Sequence, residues 1–179
     1  LLPLTVFAAT DSENTTINAN IASVISVSTS STVALNVTPV SGGSQTSASD
    51  TVSVSTNHSA GYTLTLANAD ATTTLVNGGN TIAAHAGTQG TPTALANNSW
   101  GYRVDSIGGF STGGAVENNV TSSSITYAGV PATGSPNTIK TTAATASGDT
   151  TTVWYAVKAD TSKPNGTYSD TVTYTATTN

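Results

Sequence analysis

The stretch Thr150–Thr177, TTTVWYAVKADTSKPNGTYSDTVTYTAT, carries the clearest strand pattern in the chain. In its second half, Thr167–Ala176, aromatic or aliphatic side chains occupy the even positions and Thr or Ser the odd ones, with Asp170 as the one exception. A period of two is typical of a strand with one face in a core and one in water. Lys163–Gly166 supplies a turn, because Pro fixes φ and Asn-Gly tolerates positive φ. The stretch therefore predicts an antiparallel hairpin between Val153–Ala159 and Thr167–Ala176.

The same alternation recurs in shorter runs that Gly, Pro, Asn and Ser separate. No long stretch shows the 3.6-residue period of a helix. About ten short strands between turn signals predict an all-β antiparallel sandwich, with a barrel as the other option. We expect residues 1–16 to form an extended strand and a linker, and residues 17–179 to form the sandwich domain. The strictest strand predictions are Ile17–Val27 (with a break near Ala22–Val24), Val33–Val37, Val52–Val54 and Tyr62–Leu66. Ser99–Val104 is predicted to be a further strand, and Ser41–Ser49 to be a loop.

Composition narrows the classes of function. Only 7% of the residues are charged and the net charge is −5, with Arg103, Lys140, Lys158 and Lys163 as the cations. Nucleic-acid binding needs clustered Lys and Arg, so we expect no nucleic-acid partner. No apolar run approaches the roughly 20 residues that a bilayer requires, so we expect no membrane span. The lack of Cys excludes disulfides and Cys-type zinc sites, and an uncharged, hydroxyl-rich chain suits an extracellular or cell-surface location.

The first residues, Leu1–Ala9, read LLPLTVFAA and have two interpretations. They resemble the end of a signal-peptide apolar region, with Val6-Phe7-Ala8 as an acceptable cleavage site. They also alternate as a strand does, and a free apolar strand frays unless it pairs with its own sheet or inserts into another copy. We favour insertion into another copy. The predicted polymerisation strand comprises Leu1, Leu2, Leu4, Val6 and Phe7.

Residues with catalytic or metal-binding potential are sparse. His58 and His85 are the only side chains suited to act as a base near neutral pH, and neither lies in a nucleophile motif. The acidic residues are scattered singly, which argues against a catalytic carboxylate pair. Calcium held by loop oxygens needs no motif, and Asp70 and Asp105 are the candidates for it. We expect no catalytic residues, no cofactor and no dedicated metal site.

Three further features have a structural and a functional interpretation. Lys158 lies in a predicted strand, where it is either a solvated side chain or one half of an isopeptide cross-link. The aromatic residues Trp100, Tyr102, Trp154 and Tyr155 are either core residues, as their alternation favours, or a surface that stacks on glycans. N-x-Ser/Thr sequences mark the candidate glycosylation sites Asn14, Asn36, Asn57, Asn97, Asn119 and Asn165.

Four runs together resemble a secreted β-domain of bacterial cell-envelope proteins, found in Gram-positive-type and candidate-phylum lineages. They are VSTNHSAGYTLTLANAD (Val54–Asp70), LANNSWGYRVDSIGGF (Leu95–Phe110), VPATGSPNTIKTT (Val130–Thr142) and VWYAVKADTSKPNGTYSDTVTYTATTN (Val153–Asn179). The resemblance implies a surface-exposed, Ig-like domain, which is a Greek-key β-sandwich, and it supplies no catalytic residues.

These observations predict a non-enzymatic structural protein. The expected function is a subunit of an extracellular, pilus-like filament, in which copies of the chain join head to tail by exchange of the first strand. The alternative is a monomeric cell-surface or adhesin module whose first strand pairs within its own sheet. Surface glycans are a further expected partner class.

Overall fold

The computed structural model describes residues 1–179 and contains twelve strands and no helix. Residues 1–24 precede the first strand. The strands are β1 (Ile25–Ser28), β2 (Ser44–Thr56), β3 (Tyr62–Asn68), β4 (Leu75–Asn77), β5 (Asn80–Ala84), β6 (Thr93–Ala94), β7 (Ser99–Arg103), β8 (Glu117–Val120), β9 (Thr126–Tyr127), β10 (Asn137–Thr141), β11 (Ala146–Ala159) and β12 (Val172–Thr178).

Two sheets form the body of the molecule. The main sheet has seven strands in the order β1-β2-β11-β7-β5-β4, and β8 pairs with β2 beside them. The second sheet has three strands in the order β10-β3-β12, and β6 and β9 form a separate two-stranded sheet. The pairs are antiparallel except for β5 with β7, which is parallel. The prediction of an all-β sandwich is confirmed.

One core lies between the two sheets. It contains 16 buried hydrophobic residues, drawn from both sheets and from the loop after β7. The main sheet contributes Val52, Val54 and Val153, while the second sheet contributes Leu64 and Leu66, and all five are fully buried. Because side chains on a strand alternate between faces, these spacings of two place each pair on the inner face. The alternation read from the sequence therefore assigned the core faces correctly.

The strand Ser99–Arg103 shows both the success and the limit of this pattern. Trp100, Tyr102 and Val104 face the main core, as predicted. Arg103 lies on the opposite face of the strand and is only 1% exposed, because the segments around Ser111 and Thr126 cover it and accept its hydrogen bonds. A smaller cluster of Leu95, Tyr127 and Ala156 fills this outer side of the sheet.

The predicted terminal hairpin is wrong. Strand β11 pairs with β2 and β7 in the main sheet, whereas β12 pairs with β3 in the second sheet. The turn residues after Ala159 therefore belong to a connection that crosses from one sheet to the other. The two strands face each other through the core, where the hydroxyls of Tyr155 and Tyr174 lie 2.7 Å apart. Alternation fixed the buried face of each strand but carried no information about its partner.

The predictions for Val33–Val37 and Ser41–Ser49 also need correction. Val33–Val37 packs its alternate side chains on the core, yet its backbone joins no sheet. Strand β8 pairs with the start of β2, at Gln45 and Ser47. Val33–Val37 is instead held by isolated hydrogen bonds, such as the one that Thr46 Oγ1 donates to the Asn36 carbonyl at 3.0 Å. The predicted loop is partly strand, since β2 begins at Ser44. Its side chains Ser44–Ser47 are buried and hydrogen-bond to residues 36–38 on one side and residues 115–117 on the other.

Candidate assembly segment

Leu1–Phe7 lies outside the sandwich with its apolar side chains in solvent. Leu2 is 94%, Leu4 93%, Val6 88% and Phe7 90% exposed. The segment belongs to no sheet and makes no hydrogen bond, so the strand predicted there has no partner within its own chain. An extended backbone without a neighbour leaves every N–H and C=O group free to pair with another strand.

The exposure of this segment is thermodynamically costly. Burying one Leu or Val side chain is worth about 1.5–3 kcal/mol relative to leaving it in water. Monomeric proteins rarely expose contiguous apolar surface of this kind, and such patches mark sites of association. When Leu1–Phe7 is extended, Leu2, Leu4 and Val6 share one face, while Pro3 and Thr5 share the other. The segment therefore offers one apolar row to a groove.

A polar stretch separates this segment from the folded domain. Residues 9–16 are exposed, and so are Ile17 (85%) and Ile21 (83%). The first contacts with the sandwich are made by Asn57, whose side chain bonds the Ala22 carbonyl and the Val24 N–H, both at 2.8 Å. Sequence reasoning missed this anchoring role, since Asn57 stood out only as a turn residue and a sequon.

The two histidines lie at separate places, His58 in the turn between β2 and β3 and His85 directly after β5. His85 is buried, its Nε2 lies 2.9 Å from Thr93 Oγ1, and its Nδ1 accepts the Ala96 N–H. Burial lowers the pKa of His85, so the ring is neutral at physiological pH. His58 is half-buried in the β2–β3 turn, and its Nδ1 has no partner. Neither ring contacts a carboxylate, the group that orients a catalytic base.

The two candidate calcium ligands serve local structure. Asp70 Oδ1 accepts the Thr72 N–H at 2.6 Å, which closes a turn. Asp105 accepts hydrogen bonds from Arg103 Nε at 2.7 Å and from the N–H groups of Gly113 and Gly114 at 3.0 and 2.9 Å. Partial burial raises the pKa of Asp105, but these donors outweigh it and lower the pKa below its usual value. No group of three or more His, Asp and Glu side chains is assembled anywhere.

Lys158 shares a face of β11 with Trp154 and Ala156. No carboxylate lies within 4.0 Å of its amine, and Lys140 forms the one Lys–carboxylate ion pair, with Asp149. An isopeptide bond between Lys and Asn needs a neighbouring acid to transfer protons. A Cβ added at Gly43 would lie 2.1 Å from Asn97 Oδ1 and 3.1 Å from Lys158 Cε, so an Asn side chain is close to Lys158, but no carboxylate joins them.

The aromatic candidates are mainly structural. Trp100, Tyr102 and Tyr155 belong to the core, and the Trp100 indole N–H donates to the Thr73 carbonyl at 2.9 Å. Trp154 is half-buried on the outer face, and a Cβ added at Gly114 would lie 2.2 Å from its Nε1. The loop backbone therefore already covers part of the indole. The four residues do not form a common platform for a sugar.

The sequons differ in how freely their side chains project. Asn57 and Asn119 use their amides in hydrogen bonds to Val24 and Thr38. The others are exposed and make no side-chain hydrogen bond, which leaves the amide nitrogen accessible. These accessible sequons are Asn14, Asn36, Asn97 and Asn165. Glycosylation remains a prediction at all of the sites.

Comparison with protein-family models, with curated proteins and with solved structures found no match for this chain. The structure has no helix of the length and apolarity needed to cross a bilayer.

Proposed function

We propose that this protein is a structural subunit of an extracellular filament, assembled when Leu1–Phe7 of one copy adds as a strand to the sandwich of the next. The observation that carries the proposal is the exposure of this segment. Five large apolar side chains project into water from a backbone with no partner, next to a folded domain with several unpaired sheet edges. The extracellular location and the Ig-like connectivity belong to the proposal and rest on composition and resemblance.

Addition of the segment as a strand would cover its apolar side chains and pair its free backbone groups at the same time. Main-chain hydrogen bonds to a sheet edge supply affinity, and alternate side chains in pockets supply register. The polar linker at residues 9–16 spans roughly 27 Å when extended, which is enough to reach a neighbouring subunit. A contact between the segment of one copy and the edge of the next is heterologous and does not close, so it propagates as a fibre.

The alternative is a monomeric surface module in which the same segment folds back. Val24 and Ala146 line one small cavity, so the chain enters the main sheet close to the start of β11. The linker is therefore long enough for residues 1–8 to fold back along the main sheet of their own chain. The two arrangements differ in whether the contact is made within or between copies.

Charge placed on one face of the segment tests the proposal. Leu2→Asp/Leu4→Asp puts two carboxylates on the apolar row, whereas the control Pro3→Asp/Thr5→Asp adds the same charge to the opposite face. We expect fibres from the unaltered protein and the control, and single subunits of 17.7 kDa from the Leu variant. Electron microscopy and sedimentation velocity give the readout. Fibres that persist in the Leu variant, or an unaltered protein that stays monomeric at high concentration, would contradict the proposal.

A further inference from the structure

Strand β11 has an uncovered edge in the middle of the main sheet. It pairs with β2 along its length, but with β7 only between Trp154 and Lys158. After Arg103 the chain turns away from β11, with the Ile107 N–H bonded to the Val104 carbonyl. The five residues Asp149–Val153 therefore have no paired strand on that side, although the position continues the line of β7.

The backbone groups that point to this edge belong to Thr150 and Thr152. The Tyr102 N–H donates to the Ala128 carbonyl at 2.8 Å, and the Tyr102 carbonyl accepts the Ala128 N–H at 2.9 Å. Both groups of Tyr102 therefore point away from Tyr155. The hydrogen-bonded pairs between β7 and β11 are then the alternate ones, beginning with Arg103 and Trp154. The same alternation directs the backbone N–H and C=O groups of Thr150 and Thr152 to the uncovered edge. Lys140 Nζ donates to the Thr150 carbonyl from that side, at 3.0 Å.

A groove with an apolar floor follows this edge. Its volume is about 480 Å³, which lies within the range at which clefts bind ligands. Val104, Ile107 and Ile139 form its apolar part, and Thr150–Thr152 with the charged Asp105 and Lys140 form its polar part. Thr151 is 7% exposed, and its buried hydroxyl Oγ1 has no hydrogen-bond partner. An uncovered strand edge beside an apolar floor indicates a place where another strand can add.

We propose that Leu2–Val6 of a second copy occupies this groove as a strand parallel to β11, with Leu4 opposite Thr151. This inference rests on the filament function proposed above and assigns its acceptor site. The free edge and the donor each comprise five residues, about 17 Å of extended chain. Leu2, Leu4 and Val6 then face the groove that Val104, Ile107 and Ile139 line. The donor brings no charge into it, because Leu1–Thr10 carries no ionisable side chain, and the Lys140–Asp149 ion pair lies at the end of the groove where Leu2 is placed.

The parallel direction accounts for Pro3. In a parallel pair, the residue opposite Thr151 bonds to both Thr150 and Thr152. Leu4 N–H then donates to the Thr150 carbonyl, Thr152 N–H donates to the Leu4 carbonyl, and Val6 N–H donates to the Thr152 carbonyl. The N–H positions of Pro3 and Thr5 face away from β11, so the N–H that Pro lacks is not needed. The main sheet already contains one parallel pair, β5 with β7.

Engineered cysteines test the assignment, since the chain has no native Cys. In the proposed register Thr5 lies beside Thr152, and both side chains face outward. The variant Thr5→Cys/Thr152→Cys, treated with a short bis-maleimide, is expected to give a ladder of covalent multimers on a denaturing gel. The control Thr5→Cys/Thr175→Cys places the second thiol on the exposed face of β12, an edge strand of the other sheet, and is expected to stay monomeric.

The outcomes separate this inference from the proposed function. Fibres whose cross-links form only in the Thr175 variant would overturn the groove and leave the filament standing. Cross-links confined to single chains would show that the segment folds back, and would overturn exchange between copies. A protein that forms neither fibres nor cross-links would overturn both.

A backbone substitution gives a second, independent readout. Thr152→Pro removes the backbone N–H that faces the groove. The control Thr152→Val keeps this N–H and has a side chain of nearly the same shape as that of Thr. Both variants are expected to fold, because this N–H bonds nothing within the chain and the side chain is exposed. We expect at least a tenfold lower yield of fibres from Thr152→Pro than from Thr152→Val. Equal yields from two folded variants would overturn the assignment.

Discussion

At the residue scale, Gly61 closes the turn between β2 and β3. Its φ is +81°, and a Cβ at this position would lie 2.4 Å from the Thr142 carbonyl oxygen. Gly61 also takes part in the turn hydrogen bonds, donating its N–H to the His58 carbonyl at 3.0 Å and accepting the Asn179 N–H at 3.1 Å. The constraint is therefore both conformational and steric.

Replacing Gly61 separates these two constraints when Gly78 serves as the control. Gly78 also has a positive φ, +59°, but nothing lies within 4 Å of its added Cβ. We expect Gly78→Ala to cost about 1 kcal/mol for its backbone conformation, and Gly61→Ala to cost about 3 kcal/mol because the backbone must also move. Urea unfolding measures both values. Equal losses would show that the Thr142 contact relaxes without cost.

At the element scale, the two extended segments before β2 differ in their contribution to stability. Residues 1–16 bury no side chain and form no hydrogen bond. Val33–Val37 also lies outside the sheets, but Val33, Leu35 and Val37 pack on the core. Both segments include a run in which apolar side chains alternate as they do in a strand. Only the packing of these side chains distinguishes the segment that supports the core from the one without a partner.

We expect deletion of residues 1–16 to leave the free energy of unfolding within about 0.5 kcal/mol of that of the Leu2→Asp/Leu4→Asp variant. Adding Leu35→Ala to the deletion should lower it by about 1–2 kcal/mol, because a half-buried Leu loses part of the full burial energy. Urea unfolding followed by circular dichroism provides the measurement. A large loss from the deletion alone would mean that residues 1–16 pack within their own chain.

At the scale of the whole molecule, Asp149 connects the two sheets. Its carboxylate accepts hydrogen bonds from Lys140 Nζ in β10, at 2.6 Å, and from the Tyr62 hydroxyl in β3, at 2.8 Å. The bond from Lys140 is the main cause that lowers the pKa of Asp149 below its usual value, against a smaller opposing effect of burial. Folding therefore favours the ionised carboxylate, and protonation weakens the connection between the sheets.

The lowered pKa of Asp149 determines how stability depends on pH. The stabilisation by Asp149 is complete above the unfolded-state pKa of about 4 and is lost as the pH falls through the lower folded-state pKa. Asp149→Asn should therefore be less stable than the unaltered protein at pH 7, and the difference should vanish near pH 2. Asp11→Asn removes the same charge from the exposed segment and should change nothing at either pH. A difference that persists at low pH would assign the effect to packing.

The sequence by itself determined the all-β class, the inward faces of most strands and the apolar row Leu2, Leu4 and Val6. These features are local, since side chains of a strand alternate whatever its partner. Only the tertiary structure decided which strands pair. It placed β11 and β12 in different sheets and buried Ser44–Ser47. It also left Asp149–Val153 without a paired strand on one side because β7 is shorter than β11. Pairing depends on contacts between distant parts of the chain, which a pattern of period two does not encode.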